Sequence, residues 1–366
     1  MTNHWTPIRL GDIALDHRLA MAPMTRDRST ATGAPTAVNA DYYAQRASMG
    51  LIITEGTQPS DDGQGYLLTP GIYTEQHVAG WREVTRKVRD ARGHVFIQLM
   101  HVGRIAHPAN TPHRRQPVAP SAIKPSGKMF TAAGMLDLPE PRALSTEEVT
   151  GTVRDFAHAA KSAVAAGADG VEIHGANGYL VHQFLSSNAN RRTDRYGGSV
   201  ENRIRFAIEV ATAIADAVGP KRVGFRISPG NKFNDMVEDD VPELYDTLVS
   251  RLAPLGLAYL HHEHHGDDGL LTRLRARWPT TLVLNHPDAN LETRLADIEK
   301  GRADMVSIGK MALANPDLVA RVRAGAPLNK PDPSTFYGGD ARGYTDYPTL
   351  GAAAAQPREQ PPTSTL

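Results

Sequence analysis

The sequence predicts an α/β fold: a single (β/α)8 TIM barrel with a long excursion after the third strand that caps the barrel mouth. Short apolar segments suited to buried strands recur about every thirty to fifty residues, with helical periodicity between them. Strict alternation of strand and helix requires a parallel sheet, and eight repeats favour closure into a barrel over an open doubly wound sheet. The length of 366 residues suits one such barrel with insertions.

In chain order, strands are expected at 19–24, 50–54, 95–99, 170–174, 223–228, 257–261, 281–285 and 305–309. Helices are expected at 39–46, 74–92, 146–166, 199–217, 241–255, 270–277, 290–300 and 316–324. In the fourth of these, Ser199 is placed as the N-cap. Its apolar positions Ile204, Ala207, Ile208, Ala211 and Ile214 recur at three and four residues until Gly219-Pro220 stops it. The connection from His101 to Ser145 is rich in proline, poor in periodic apolar positions and too long for an ordinary loop, which is why it is assigned to the cap. No composition shift marks a second domain. Residues 1–350 are therefore read as one barrel and 351–366 as a flexible C-terminal tail.

Composition narrows the chemistry. Forty basic residues balance forty acidic ones, so no strong field advertises nucleic acid or an anionic membrane, and small ligands are the expected partners of a monomer or homodimer. The chain has no cysteine, which excludes disulfides, thiolate metal sites and a thiol nucleophile. Redox chemistry would then fall to a bound organic cofactor or to a metal on histidine and carboxylate. The first residues lack the basic patch and apolar core of a signal peptide, and no apolar run approaches the ~20 residues that cross a bilayer, so a cytoplasmic location is expected.

In a barrel, functional side chains belong at the carboxyl ends of the strands. The fourth end places His174, Asn177 and Tyr179 within six positions. Two side-chain donors there suit an oxygen that gains negative charge, and a phenol with an ordinary pKa of about 10 keeps its proton for delivery to carbon. The plainer reading is a histidine and an asparagine satisfying loop backbone beside a packed aromatic ring. The first end, Ala22-Pro23-Met24-Thr25, offers an apolar surface and one hydroxyl, as a flat ring with a polar edge requires, or is a simple turn exit. The second carries Gly56, open to close approach or to a turn, and the third carries Gln98, whose buried amide needs a donor and an acceptor side by side. The fifth carries Arg226, which requires either an anion at the mouth or a neighbouring barrel carboxylate. The sixth ends in His261-His-Glu-His-His265. An extended chain puts His262 and His264 on one face and His261, Glu263 and His265 on the other, so the run is either an exposed loop or part of a metal site. At the eighth end, Gly309 and Lys310 offer an amide and a cation to a phosphate.

The run His174-Gly-Ala-Asn177-Gly-Tyr179-Leu, followed by Gln183-Phe-Leu, Asn190-Arg-Arg-Thr-Asp194-Arg-Tyr196-Gly-Gly-Ser199 and Glu201-Asn-Arg-Ile-Arg-Phe206, resembles the signature of the old yellow enzyme family of flavin-dependent ene-reductases. The likeness extends from about Pro7 to Leu350. It implies non-covalent FMN against Pro23, Met24, Thr25 and Gly56, with Gln98 at the pyrimidine edge, Arg226 near N1, and Gly309 and Lys310 at the phosphate. It implies a substrate pocket that includes Tyr66, Met100 and Tyr337, and NAD(P)H as the electron donor. Hydride would pass through the flavin to the β carbon of an enone, enal or nitroalkene, with His174 and Asn177 on the activating oxygen and Tyr179 protonating the α carbon.

Three positions depart from the family pattern: Met100 stands where tryptophan is frequent, Lys310 where arginine is, and Asn285-His-Pro287-Asp288 where glycines are. A wider pocket and a weaker phosphate contribution from the seventh loop are expected, since Pro287 has no amide hydrogen. Rival readings are a nitrate-ester or nitroaromatic reductase on the same site, a flavin-dependent isomerase, and a His/carboxylate metallohydrolase built on the run at 261–265.

Overall fold

The structure is a computed structural model and describes residues 2–351; apart from Gly351, the tail assigned to 351–366 lies outside the described residues. Eight parallel strands close into a barrel: β1 (Leu19–Met21), β2 (Leu51–Ile53), β3 (Val95–Leu99), β4 (Gly170–Gly175), β5 (Val223–Ile227), β6 (Tyr259–Glu263), β7 (Thr281–Asn285) and β8 (Met305–Ile308). Closure runs through the pairing of Ile308 with Met21. Helices α1 (Ala37–Ala44), α2 (Glu75–Asp90), α3 (Thr146–Ala165), α4 (Arg205–Val218), α5 (Val241–Leu252), α6 (Asp268–Arg277), α7 (Leu291–Glu299) and α8 (Leu318–Ala324) follow the strands in turn.

The sixth strand differs most from expectation, starting two residues later than 257. Gly256, in the left-handed region, ends the preceding turn, and the Ala258 amide is taken by Pro220 O and Val223 O. The ladder with β5 therefore begins at Gly224 opposite Tyr259. As a result the histidine run is not an exposed loop: His261, His262, Glu263 and His264 are all buried. The helix expected over 199–217 is divided at Ile204 into Val200–Arg203 and α4. Ser199 does cap it, accepting from Asn202 N, and Gly219 ends it at φ 90°.

Strand alternation sorts the barrel into two layers. Val171, Ile173, Phe225 and Ile227 point outward into the apolar layer under the helices. The inward set at the lower end is also apolar, with Leu51, Ile53, Phe96, Tyr259, Val283 and Met305 packed on Leu10 and Leu15. Those two leucines come from an N-terminal hairpin, Ile8–Leu10 with Ile13–Leu15, that plugs this end. Burying each contributes roughly 1.5–3 kcal/mol. The plug leaves the carboxyl ends of the strands as the open mouth.

Over that mouth lies the excursion. Its hairpin, Lys128–Thr131 with Gly134–Asp137, carries Met129, which with Leu138 joins Val102, Ile105, Met100 and Tyr179 in a separate apolar cluster. Among the described residues, no helix is long and apolar enough to cross a membrane.

Candidate active site

At the mouth is a cavity of about 90 Å³, open to solvent on one side and lined by Pro23, Met24, Thr25, Gly56, Gln98, Met100, His174, Asn177, Tyr179 and Arg226. Every lining residue was singled out in the sequence. Pro23, Met24 and Met100 give an apolar wall, and the remaining side chains give a polar edge.

The β4 turn builds the donor wall. Asn177 adopts φ 56°, a conformation that asparagine tolerates better than most residues, and Gly178 follows at φ 76°. The turn is pinned from the loop after β5: Asn177 N donates to Ser228 Oγ at 2.9 Å, and Asn234 Nδ2 donates to Asn177 O at 2.8 Å. Gly178 N is held by His182 Nδ1 at 3.0 Å, and His182 is in turn held by Glu238 at 3.0 Å. This brings His174 and Tyr179 together, ring centroids 5.1 Å apart. Burial, reinforced by Arg226, lowers the His174 pKa to about 3, so the ring is neutral at physiological pH, and its Nδ1 is buried without a partner. Burial raises Tyr179 to about 12, and its hydroxyl lies 2.9 Å from that of Tyr66.

Beneath this wall runs a polar chain through the barrel interior. Gln98 Nε2 donates to Glu172 Oε1 at 2.7 Å, and His261 Nδ1 lies 2.8 Å from Glu172 Oε2. His261 Nε2 is 2.8 Å from Ser307 Oγ, which accepts from Asn285 Nδ2 at 2.9 Å. Arg226 Nη1 donates to His261 Nε2 at 2.7 Å. A neutral ring with its proton on Nδ1, directed at Glu172, leaves the single Nε2 lone pair to be shared by Arg226 and Ser307. Burial would raise the Glu172 carboxyl, but His261, Arg226 and Gln98 hold it below its usual range. The chain fixes which way the Gln98 amide faces.

Both open readings of Arg226 have support. It is ion-paired with Glu263, a barrel carboxylate, yet it lines the cavity and its Nε is buried without a partner. Gly56 lines the cavity, and a Cβ there would meet Met100 Sδ and Cε at 2.5 Å, so the missing side chain also makes room for Met100. Tyr66 reaches the site through Tyr179, whereas Tyr337 stands on the rim, 68% exposed. Gly309 lies beside Met24, where a Cβ would make only ordinary contact, at 3.5 Å from its sulfur.

Lys310 is exposed at the start of the short helix Lys310–Ala314. The Asn285–Asp288 loop does not line the cavity. Asn285 is used by Ser307, and Arg294 clamps Pro287 O at 2.9 Å and Ala289 O at 3.1 Å. The histidines of the run do not converge. His261 and Glu263 face the barrel, while His264 faces His286 outside it, ring centroids 5.0 Å apart. Among the described residues, no group of three or more His, Cys, Asp or Glu is arranged to hold a metal ion.

A sequence model described as the NADH:flavin oxidoreductase / NADH oxidase family matches residues 4–329. The chain belongs to this family. A probable flavin mononucleotide-dependent alkene reductase of Leishmania infantum is 43% identical over 353 residues, covering 94% of this chain and 96% of the relative. 12-Oxophytodienoate reductase 2 of Arabidopsis thaliana is 41% identical, covering 95% and 96%. Among solved structures, morphinone reductase in complex with tetrahydroNAD superposes with a TM-score of 0.91 at 42% identity, covering 96% and 98%. The old yellow enzyme homologue of Zymomonas mobilis gives 0.92 at 38%, covering 95% and 100%. The chain is accordingly a flavin oxidoreductase of the alkene-reductase type on a TIM barrel.

The residues present fit the ring of the family's flavin better than its phosphate. At the ring end, the buried Arg226 Nε lacks a partner beside an apolar wall and an oriented glutamine. At the phosphate end, Asn285 is used within the protein and Pro287 has no N–H, which leaves Gly309 and Lys310. Sequence reasoning missed Glu172, Ser307, Asn231 and the importance of Glu263. Glu172 was accessible from alternation alone, since it stands two residues before His174 and therefore on the same face of β4.

Proposed function

We propose that this chain binds FMN non-covalently at the barrel mouth and reduces alkenes conjugated to a carbonyl or nitro group, using NAD(P)H. The observation that supports this most is the single cavity in which His174, Asn177 and Tyr179 face Thr25, Gln98 and Arg226. FMN, when bound, supplies the two-electron chemistry, accepting hydride from the nicotinamide and giving it to the alkene. Thr25, Gln98 and Arg226 would hold its polar edge, Pro23 and Met24 its apolar face, and Gly309 and Lys310 its phosphate.

The protein's own contribution lies in charge and proton placement. A neutral His174 and the Asn177 amide donate to the activating oxygen, and their hydrogen bonds strengthen as that oxygen becomes an enolate. Tyr179 keeps its proton up to about pH 12 and hands it to the α carbon. With Tyr66 donating to the Tyr179 oxygen, the tyrosinate left behind is stabilised by a hydrogen bond already in place. Met129 and Leu138 of the excursion pack with Tyr179 and limit the approach of water to it. As a test, the purified protein is expected to be yellow, to release about one FMN per chain on denaturation, to bleach with NAD(P)H and to regain colour with an enone. A flavin-free preparation, or reduced flavin that an enone does not reoxidise, would refute the reading.

A further inference from the structure

One carboxylate in the site has no task in this mechanism. Glu263 ends β6 facing the mouth, is 7% exposed, and has only donors around it. Arg226 Nη2 and Asn177 Nδ2, the latter at 3.3 Å, reach Oε2. Asn231 Nδ2 at 3.3 Å and His265 Nε2 at 3.0 Å reach Oε1. Four donors use up the lone-pair positions of a carboxylate, so Glu263 has none left for a substrate. Burial would raise its pKa, but Arg226 and His265 hold the carboxyl well below its usual range and it stays ionised.

The Asn177 amide is thereby oriented at both ends. Its Oδ1 accepts from Asn231 Nδ2 at 2.9 Å and its Nδ2 gives one proton to Glu263. Turning the amide over would set its oxygen against the carboxylate and its NH2 against the Asn231 donor. The second N–H of Asn177 is what remains for the cavity it lines with His174. We propose that Glu263 is a positioning residue with two effects: it holds the Asn177 amide so that this free N–H meets the substrate oxygen, and its charge offsets that of Arg226 beside the flavin. The inference rests on the alkene-reductase reading.

Two substitutions in the FMN-loaded protein separate the effects. Glu263→Gln keeps an oxygen for Arg226 and Asn177 but removes the charge, whereas Glu263→Leu removes both. The probe is 4-chlorophenol, whose phenolate imitates an enolate, and the readouts are its Kd and the flavin midpoint potential. Glu263→Leu and Asn177→Ala should each weaken the phenol about ten-fold, and the double variant should lose no more, because one donor is at stake in all three. Glu263→Gln should keep the affinity within about two-fold while its flavin potential moves positive, since the reduced anion then faces an uncompensated Arg226. Unchanged affinity in Glu263→Leu, additive losses in the double variant, or an unchanged or more negative potential in Glu263→Gln would each overturn the inference. Failure of the unsubstituted FMN-loaded protein to bind the phenol would overturn the alkene-reductase reading itself, and the inference with it.

Discussion

Glu172→Leu is the substitution whose cost the structure defines most closely. Glu172 is fully buried and accepts from two side chains, Gln98 at 2.7 Å and His261 at 2.8 Å. Leucine would leave both without an acceptor at a cost of about 1–3 kcal/mol each. The same change leaves the buried Arg226 balanced by Glu263 alone, and removing one partner from such a charge network typically costs about 3–5 kcal/mol. A loss of about 3–5 kcal/mol is therefore expected in urea unfolding of the flavin-free protein. Glu172→Gln, which can still accept from Gln98, should lose roughly half as much. Because Gln98 would no longer be oriented, FMN affinity, followed by quenching of flavin fluorescence, should fall about ten-fold or more in Glu172→Leu. A Glu172→Leu protein within about 1 kcal/mol of the parent, with unchanged FMN affinity, would refute the assignment of this chain as the support of the cofactor edge.

Two further perturbations probe the pocket and its acid sensitivity. Gly56→Ala should cost less than about 1 kcal/mol, because its Cβ meets the mobile end of Met100 rather than backbone. The displaced Met100 should narrow the cavity and raise KM for bulky enones more than for small ones, which a size-graded substrate series would measure. His262 is buried with its folded pKa lowered to about 3, chiefly by burial and then by His264. Its unfolded pKa is near 6.5, so between these values the unfolded chain binds more protons, and stability falls as pH drops from about 6.5 towards 3. His262→Leu should therefore flatten that decline by about 2–3 kcal/mol between pH 6.5 and 4.5, measured from urea midpoints. An equally steep decline in the variant would contradict the assignment.

The barrel is legible because strands buried on both faces are written as short apolar runs, and β3 and β7 fall where those runs lie. β6 extends beyond its apolar run because its second half, His261-His262-Glu263, reads as surface in the sequence although the barrel supplies partners for each side chain that faces inward. The N-terminal hairpin has two strands of three residues each, too short for any periodicity to register. The lining of the cavity is legible because strand ends and alternation specify it locally. Its support is not, because those partners are distant in sequence. Glu172 meets Gln98 across the β3–β4 register and His261 across the barrel, 89 positions along the chain. Asn177 meets Glu263 at a separation of 86. Alternation shows that Glu172 faces inward, but which side chains it meets is decided by barrel closure and has no local signature.

The central claim is that one cavity holds both the hydride donor and the group that protonates the alkene, and Tyr179→Phe separates these roles. Stopped-flow measurement of the two half-reactions is the most direct test. Flavin reduction by NAD(P)H should proceed at close to the parent rate, while reoxidation by an enone should slow by about 10²–10⁴, as expected when a general acid is removed. Equal slowing of both half-reactions, or reoxidation at the parent rate, would contradict the account.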